Sequence, residues 1–169
     1  MTPDTALLFR VSPGSLIRSR PGHQATYAFG VDCEHILVAD VTILAGDHTL
    51  LVRYLDITPY DGQTGWFVPD DELRRREHPR RAAARIAREQ VGIAPRRLVL
   101  TSIESFGGRG WHLIFHYAAR FRSEPQVRPG ANVLEAAWFS TDGLPPAAET
   151  AHEGWAHGIV AAAVRSLPA

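Results

Sequence analysis

Pro79-Arg-Arg-Ala-Ala-Ala-Arg-Ile-Ala-Arg-Glu-Gln-Val-Gly-Ile93 is the stretch on which the fold turns. Proline suits the first turn of a helix, where its missing N–H is unneeded, and Gly92 suits the left-handed residue after the last. Ala83, Ile86, Ala87 and Val91 recur at the spacing of one buried stripe, so the pattern predicts a helix over 79–91. Pro95 bars its continuation. Upstream, Ile36–Leu44 and Thr49–Leu55 are apolar runs joined by the turn Ala45-Gly-Asp-His48, which predicts a hairpin. Trp66-Phe-Val68 is a short strand ended by Pro69. Downstream, 97–103, 111–121 and 133–139 are strands, and the tail from about Ala148 to Leu167 is a second amphipathic helix. Strands, helix, strands, helix define an α+β sandwich.

Length and composition narrow the rest. The 169 residues suit one domain, divided as an N-terminal extension (1–34), sheet plus first helix (35–147) and C-terminal helix (148–169). Within the extension, Ala6–Val11 is a weak strand and Ser12-Pro-Gly14 a turn. A single cysteine, Cys33, excludes an internal disulfide and a cysteine zinc cluster. No apolar run nears the ~18 residues that span a bilayer. The start lacks the charged-then-apolar order of a signal peptide, so a cytoplasmic address is expected. The chain has no lysine, so its 18 basic residues are all Arg, matched by 18 Asp plus Glu. Schiff-base chemistry and the Gly-Lys-Ser/Thr phosphate loop are thereby excluded. Zero net charge argues against nucleic-acid binding.

With the segment Gly65–Ile93, this layout resembles the Nudix hydrolase superfamily, whose signature is G-x5-E-x7-R-E-U-x-E-E-x-G-U with U aliphatic. Anchored on Gly92-Ile93, the signature is matched by Glu77, Arg85, Glu89, Gly92 and Ile93, with Ala87 standing in for the aliphatic. Asp71 replaces its Gly, and Ile86 and Gln90 replace two of its Glu. Trp66-Phe-Val-Pro69, Leu134-Glu-Ala-Ala-Trp-Phe-Ser140 and Gly143-Leu-Pro145 resemble flanking family features, and the likeness spans about Ile36 to Leu167. It implies an α/β/α sandwich with a mixed central sheet. It also implies a small-molecule substrate, with a homodimer as the candidate assembly and no membrane or nucleic-acid partner.

In that family, helix carboxylates hold Mg²⁺ or Mn²⁺, which bridges a diphosphate and activates water. Isoleucine has no donor atom and glutamine offers only a neutral carbonyl, so the expected Mg²⁺ site is weakened. The resemblance assigns Glu77 and Arg85 to a charged pair that fixes the loop on the helix, with Arg85 also a substrate contact. Glu89 is a metal ligand or general base, or a surface partner of Arg85. Glu135 is a second ligand or base, or a surface carboxylate. His112 and His116 share one strand face about 13 Å apart, too far for one metal, and are acid, base or phosphate-donor candidates. Ile86, Trp66, Trp111 and Phe106 predict an apolar pocket, and His116 is expected to face Glu89 across it. The run Arg74–Arg81 is either a phosphate-gripping loop or a solvated one. His78 is a helix cap. His152 and His157 are assigned no site.

Three functions follow. The first is a divergent enzyme acting on a small organic metabolite, phosphorylated or not, with Glu89, Glu135 and His116 carrying its acid/base or metal work. The second is a metal-dependent nucleoside-diphosphate-type hydrolase with rearranged ligands, histidine then favouring Zn²⁺ or Mn²⁺. The third is a non-catalytic ligand-binding or regulatory module.

Overall fold

The computed structural model describes residues 35–107 and 111–168; the extension, with its expected strand and turn, lies outside them. Six strands and two helices follow in the order β1 (His35–Ala45), β2 (His48–Tyr54), β3 (Asp70–Glu72), α1 (Pro79–Val91), β4 (Val99–Gly107), β5 (Trp111–Phe121), β6 (Val133–Ser140) and α2 (Trp155–Ser166). The strands form one mixed sheet in the order β4-β5-β1-β2-β6, with β3 attached to β1. The α+β sandwich is therefore present, with α1 and α2 on opposite faces. Among the described residues no helix is long and apolar enough to cross a membrane.

The parallel β1–β5 pair, in register from His35↔Trp111 to Ala45↔Phe121, is the spine of the sheet. Odd residues of β1 face α1: Ala39, Val41 and Ile43 share a core with Ala83, Ile86, Ala87 and Val91. Even residues face α2, where Leu44 and Ala118 meet Ala163. Period-2 alternation thus splits one apolar run between two layers, which is why it reads as continuous in sequence.

The helix 79–91 is observed as predicted. His78 caps it, its Nδ1 accepting from the Arg80 N–H at 3.2 Å. Gly92, at φ +70°, ends it, and the N–H groups of Gly92 and Ile93 donate to Arg88 and Ala87 carbonyls. The next loop also closes on this end, with Arg128 and Gly130 N–H groups donating to Val91 and Gln90 carbonyls. A Cβ on Gly130 would lie 2.1 Å from the Glu89 carbonyl oxygen, so only glycine permits that approach.

Three details depart from the sequence reading. Trp66–Val68 makes isolated bridges, Val52↔Phe67 and Trp66↔Thr150, and the strand comes after it as β3. β4 runs on to Gly107, past the end expected at 103. The second helix begins only at Trp155, because His152 and Glu153 take left-handed φ values of 51° and 53° before Gly154. The segment 66–72 wedges into the sheet. It pairs with β2 at Phe67, and then with β1 at Val38–Asp40. Over those residues β1 and β2 are parted.

Ile86 has no exposed surface while Arg88 is solvated. Ile86→Ala should therefore lower stability in urea denaturation by about 2–5 kcal/mol, the cost of a large-to-small core change. Arg88→Ala should stay within about 0.5 kcal/mol.

Candidate functional site

The parted sheet places polar residues in a row on the α2 face. In register, Asp70 of β3 lies beside Asp40 of β1, Asp40 beside His116 of β5, and His116 beside Ser102 of β4. The next row outward is Glu72, Val38, Ile114 and Glu104, and the next is Ile36, His112 and Phe106. These outer rows floor a cavity of about 620 Å³, with Asp70 among its lining residues. Tyr60, His152 and Trp155 also line it.

The inner row is closely bonded. His116 Nδ1 lies 2.5 Å from Asp40 Oδ2, and neither side chain has any exposed surface. His116 Nε2 is 3.7 Å from Glu104, which also accepts the Trp155 indole N–H at 3.0 Å. The indole meets the His116 ring edge-on at 5.4 Å. Burial penalises the imidazolium, but the bond to Asp40 and the charges of Asp40 and Glu104 outweigh it and raise the His116 pKa. Burial also raises Asp40, against the His116 bond. The two groups therefore hold their proton jointly. Among the described residues the Oδ1 of Asp40 and the Nε2 of His116 have no hydrogen-bond partner.

Asp70 stands where the sheet parts, reached from α1 and open to the cavity. Tyr54 donates to Gln90 Oε1 at 2.8 Å and accepts the Asp70 N–H at 3.1 Å. Gln90 Nε2 donates to the Asp70 carbonyl oxygen at 2.7 Å. A carbonyl oxygen needs a donor opposite it, and this fixes the orientation of the Gln90 amide. Burial pushes the Asp70 carboxyl well above the usual carboxylate range, and the nearby Asp40 and Asp71 charges add to the rise.

The box residues themselves form a different structure. The Arg85 guanidinium, 4% exposed, donates to Glu77 from Nε at 3.0 Å and Nη2 at 2.9 Å, to the Glu72 carbonyl at 2.9 Å and to Asp71 at 2.6 Å. The Glu77–Arg85 pair thus fixes loop to helix, and Asp71, in place of the signature glycine, completes it. The bond from Arg85 lowers the Glu77 pKa. Glu89 faces solvent and is held by Arg74 at 2.8 Å and Arg85 at 3.6 Å.

A divalent metal does not fit this helix. Ile86 is buried in the core, an amide N–H of Gln90 already satisfies the Asp70 carbonyl, and Glu89 is neutralised by two guanidinium groups. Among the described residues no group of three or more His, Cys, Asp or Glu side chains is placed to hold an ion.

Several expected positions are corrected. His116 is on the α2 face and Glu89 on α1, so the sheet separates them and they share no cavity. Glu135 pairs with Arg53 at 3.5 Å on the edge strand β6, on the face under α2, and does not meet Glu89. Trp66 packs into the α2 core against Phe139, with the Arg53 guanidinium 5.2 Å from its ring. Trp111 points to the α1 face, where it meets His35 at 5.1 Å. Ile86 is core, and Arg85 is saturated by its own ion pairs. The arginine run does not line the cavity; Arg80 and Arg81 flank a shallow groove with Arg96 on the far side of α1. His112 and Phe106 do line the cavity, stacked at 4.9 Å. Asp70, Tyr60, Trp155 and His152 were missed. The one sequence cue was Asp40 interrupting an apolar run.

The NUDIX domain model matches residues 34–159, and the chain belongs to the Nudix family. Three similar solved structures carry the same fold. The MutT NUDIX hydrolase from Burkholderia pseudomallei is 21% identical, with TM-score 0.63 over 78% of this chain and 98% of that one. The MutT protein from Methanosarcina mazei Go1 is 14% identical, with TM-score 0.62 over 80% and 97%. The NUDIX domain of Shewanella oneidensis NrtR, complexed with ADP ribose, is 17% identical, with TM-score 0.56 over 64% and 75%. No curated protein matches the chain.

An acid whose folded pKa is raised binds more protons folded than unfolded, so its contribution falls as pH rises above the unfolded value near ~3.9. Asp70→Asn removes that titration and leaves the Tyr54–Gln90 bond and the Gln90 bond to the Asp70 carbonyl in place. The variant should match the wild type near pH 4 and become progressively more stable than it toward pH 7. The gain should be at most about tenfold in the folding equilibrium per pH unit, measured by denaturant midpoints.

Proposed function

We propose that this chain is a Nudix-fold protein that binds a small ligand in the cavity bounded by Asp70, Phe106 and Trp155, and that it does not hydrolyse diphosphates through its box helix. One observation carries the reading: Gln90 donates an N–H to the Asp70 carbonyl at 2.7 Å, where a metal-binding carboxylate would present only acceptors. The buried Ile86 beside it supports the same reading. A cavity of about 620 Å³ with aromatic walls is of the size that binds small molecules. The binding module thereby moves ahead of both enzyme readings, whose Glu89–His116 and Glu89–Glu135 partnerships are divided by the sheet.

A divergent enzyme remains the second reading, favoured by the buried Asp40–His116 pair behind the cavity. Its acid and base would be those two groups, and Trp155 would have to swing aside for a ligand to reach them. His116→Gln separates the two. Under the binding reading it leaves ligand affinity within about threefold; under the enzyme reading it removes turnover by ~10²-fold or more.

Calorimetry with Mg²⁺ and Mn²⁺ should give no binding below millimolar concentration, and ADP-ribose should not be hydrolysed in the presence of either. Gln90→Glu is the converse test. It sets a carboxylate against a carbonyl oxygen and should destabilise the protein by about 1–3 kcal/mol without metal. Added Mn²⁺ should restore part of that loss. Tight metal binding with hydrolysis by the unaltered chain would sink the proposal.

A further inference from the structure

The cavity combines two features that a phosphate compound would not select. The first is charge. Asp61, Asp70, Asp71 and Glu72 line it, and among the described lining residues there is no arginine. Asp71 is satisfied by Arg85 across the sheet edge, at 2.6 Å. Among the described side chains, the Tyr54 hydroxyl is the one within reach of the Asp70 carboxyl, at 3.1 Å. In register behind it, the fully buried Asp40 keeps one carboxyl oxygen with no donor. Asp40 does not itself line the cavity, so the charge open to a ligand is that of the Asp70 carboxyl. The inner end of the cavity is thus short of positive charge, while the arginines of the described loop lie elsewhere.

The second feature is the wall. Phe106 and His112 stack at 4.9 Å with their planes 11° apart, a flat shelf, and Phe106 is left 43% exposed at its outer end. Trp155 lines the same space, its ring fixed by the bond to Glu104. Aromatic faces carry negative potential and attract organic cations as well as flat rings.

We infer that the cavity takes a protonated amine carried on an aromatic ring system, its ammonium against Asp70 and its ring between the Phe106–His112 shelf and Trp155. This assigns a ligand class to the site and rests on the ligand-binding function proposed above. Anionic nucleotides are disfavoured, because among the described residues the Asp70 end offers their phosphates carboxylates and no arginine.

Calorimetric titration of the full chain in metal-free buffer tests this with three probes: tryptamine, indole-3-acetate (the same ring with the opposite charge) and ADP-ribose. Tryptamine is expected to bind with submillimolar affinity, at least tenfold tighter than indole-3-acetate. Asp70→Asn and Phe106→Ala should each weaken tryptamine binding about tenfold, with melting curves confirming that both variants fold. Should Asp70→Asn fail to fold, the charge-reversed probe and Phe106→Ala still decide the matter. No heat from tryptamine at millimolar concentration, or equal binding of indole-3-acetate, overturns the inference. ADP-ribose binding more tightly than tryptamine, and losing affinity in Phe106→Ala, also overturns it but leaves the ligand-binding function standing. Metal-dependent hydrolysis of ADP-ribose would remove that function itself.

Discussion

A guanidinium taken out of water must be surrounded by acceptors, and the placement of Arg85 is the constraint from which the site follows. An uncompensated buried charge is among the most destabilising groups a fold can hold. Arg85 meets that demand with Glu77, Asp71 and the Glu72 carbonyl, drawn from the loop and the strand that lie against α1. The planar fork of arginine allows it to bind in several directions at once, which an ammonium could not do. These bonds set β3 against β1, and β3 in turn brings Asp70 beside both Asp40 and Gln90. Asp71 in the signature glycine's position is thereby intelligible. It is the third acceptor of the arginine.

The wedge 66–72 has a second effect, because it parts β1 from β2 and sets Asp70, at the end of the inner row, on the cavity wall while Asp40 and His116 stay fully buried. The Asp70 carbonyl and N–H face α1 and β2 through Gln90 and Tyr54, while its side chain remains accessible from the cavity. The turn at His152–Gly154 completes the enclosure by carrying the chain to Trp155. Two adjacent non-glycine residues with left-handed backbone are energetically unfavourable, and they persist where surrounding contacts hold them. The rings of His152 and Trp155 meet there at 5.9 Å, both on the cavity wall.

The fold was legible in the sequence because its signals are local. Pro79, Gly92 and the spacing of Ala83, Ile86 and Val91 fix α1, and alternation fixes β1 and β5. The Glu77–Arg85 pair was legible through its motif. The site was not, because its geometry depends on register between strands far apart in sequence. Nothing local says that Asp40 pairs with His116, or that both fall on the face opposite Glu89. A shift of one residue in either strand would have reversed the outcome. Trp66 and Trp111 misled for the same reason: aromatic residues near a motif read as pocket walls, yet each faces a different layer. His152 was invisible because its position depends on a strained turn rather than on helix periodicity.

The substitutions in the box form one electrostatic exchange rather than separate losses. Carboxylates crowded on a helix face repel one another and are stable together only with a cation between them. This chain reaches neutrality without one. Isoleucine removes one acid into the core, glutamine replaces another with a group that donates to the Asp70 carbonyl, and Glu89 is matched by Arg74. What remains is Asp70, whose pKa burial and the neighbouring acids raise, at the inner end of the cavity. Under the proposed ligand-binding function, the substitutions that leave the helix with Ile86 and Gln90 also leave Asp70 as the acid at the end of an aromatic cavity.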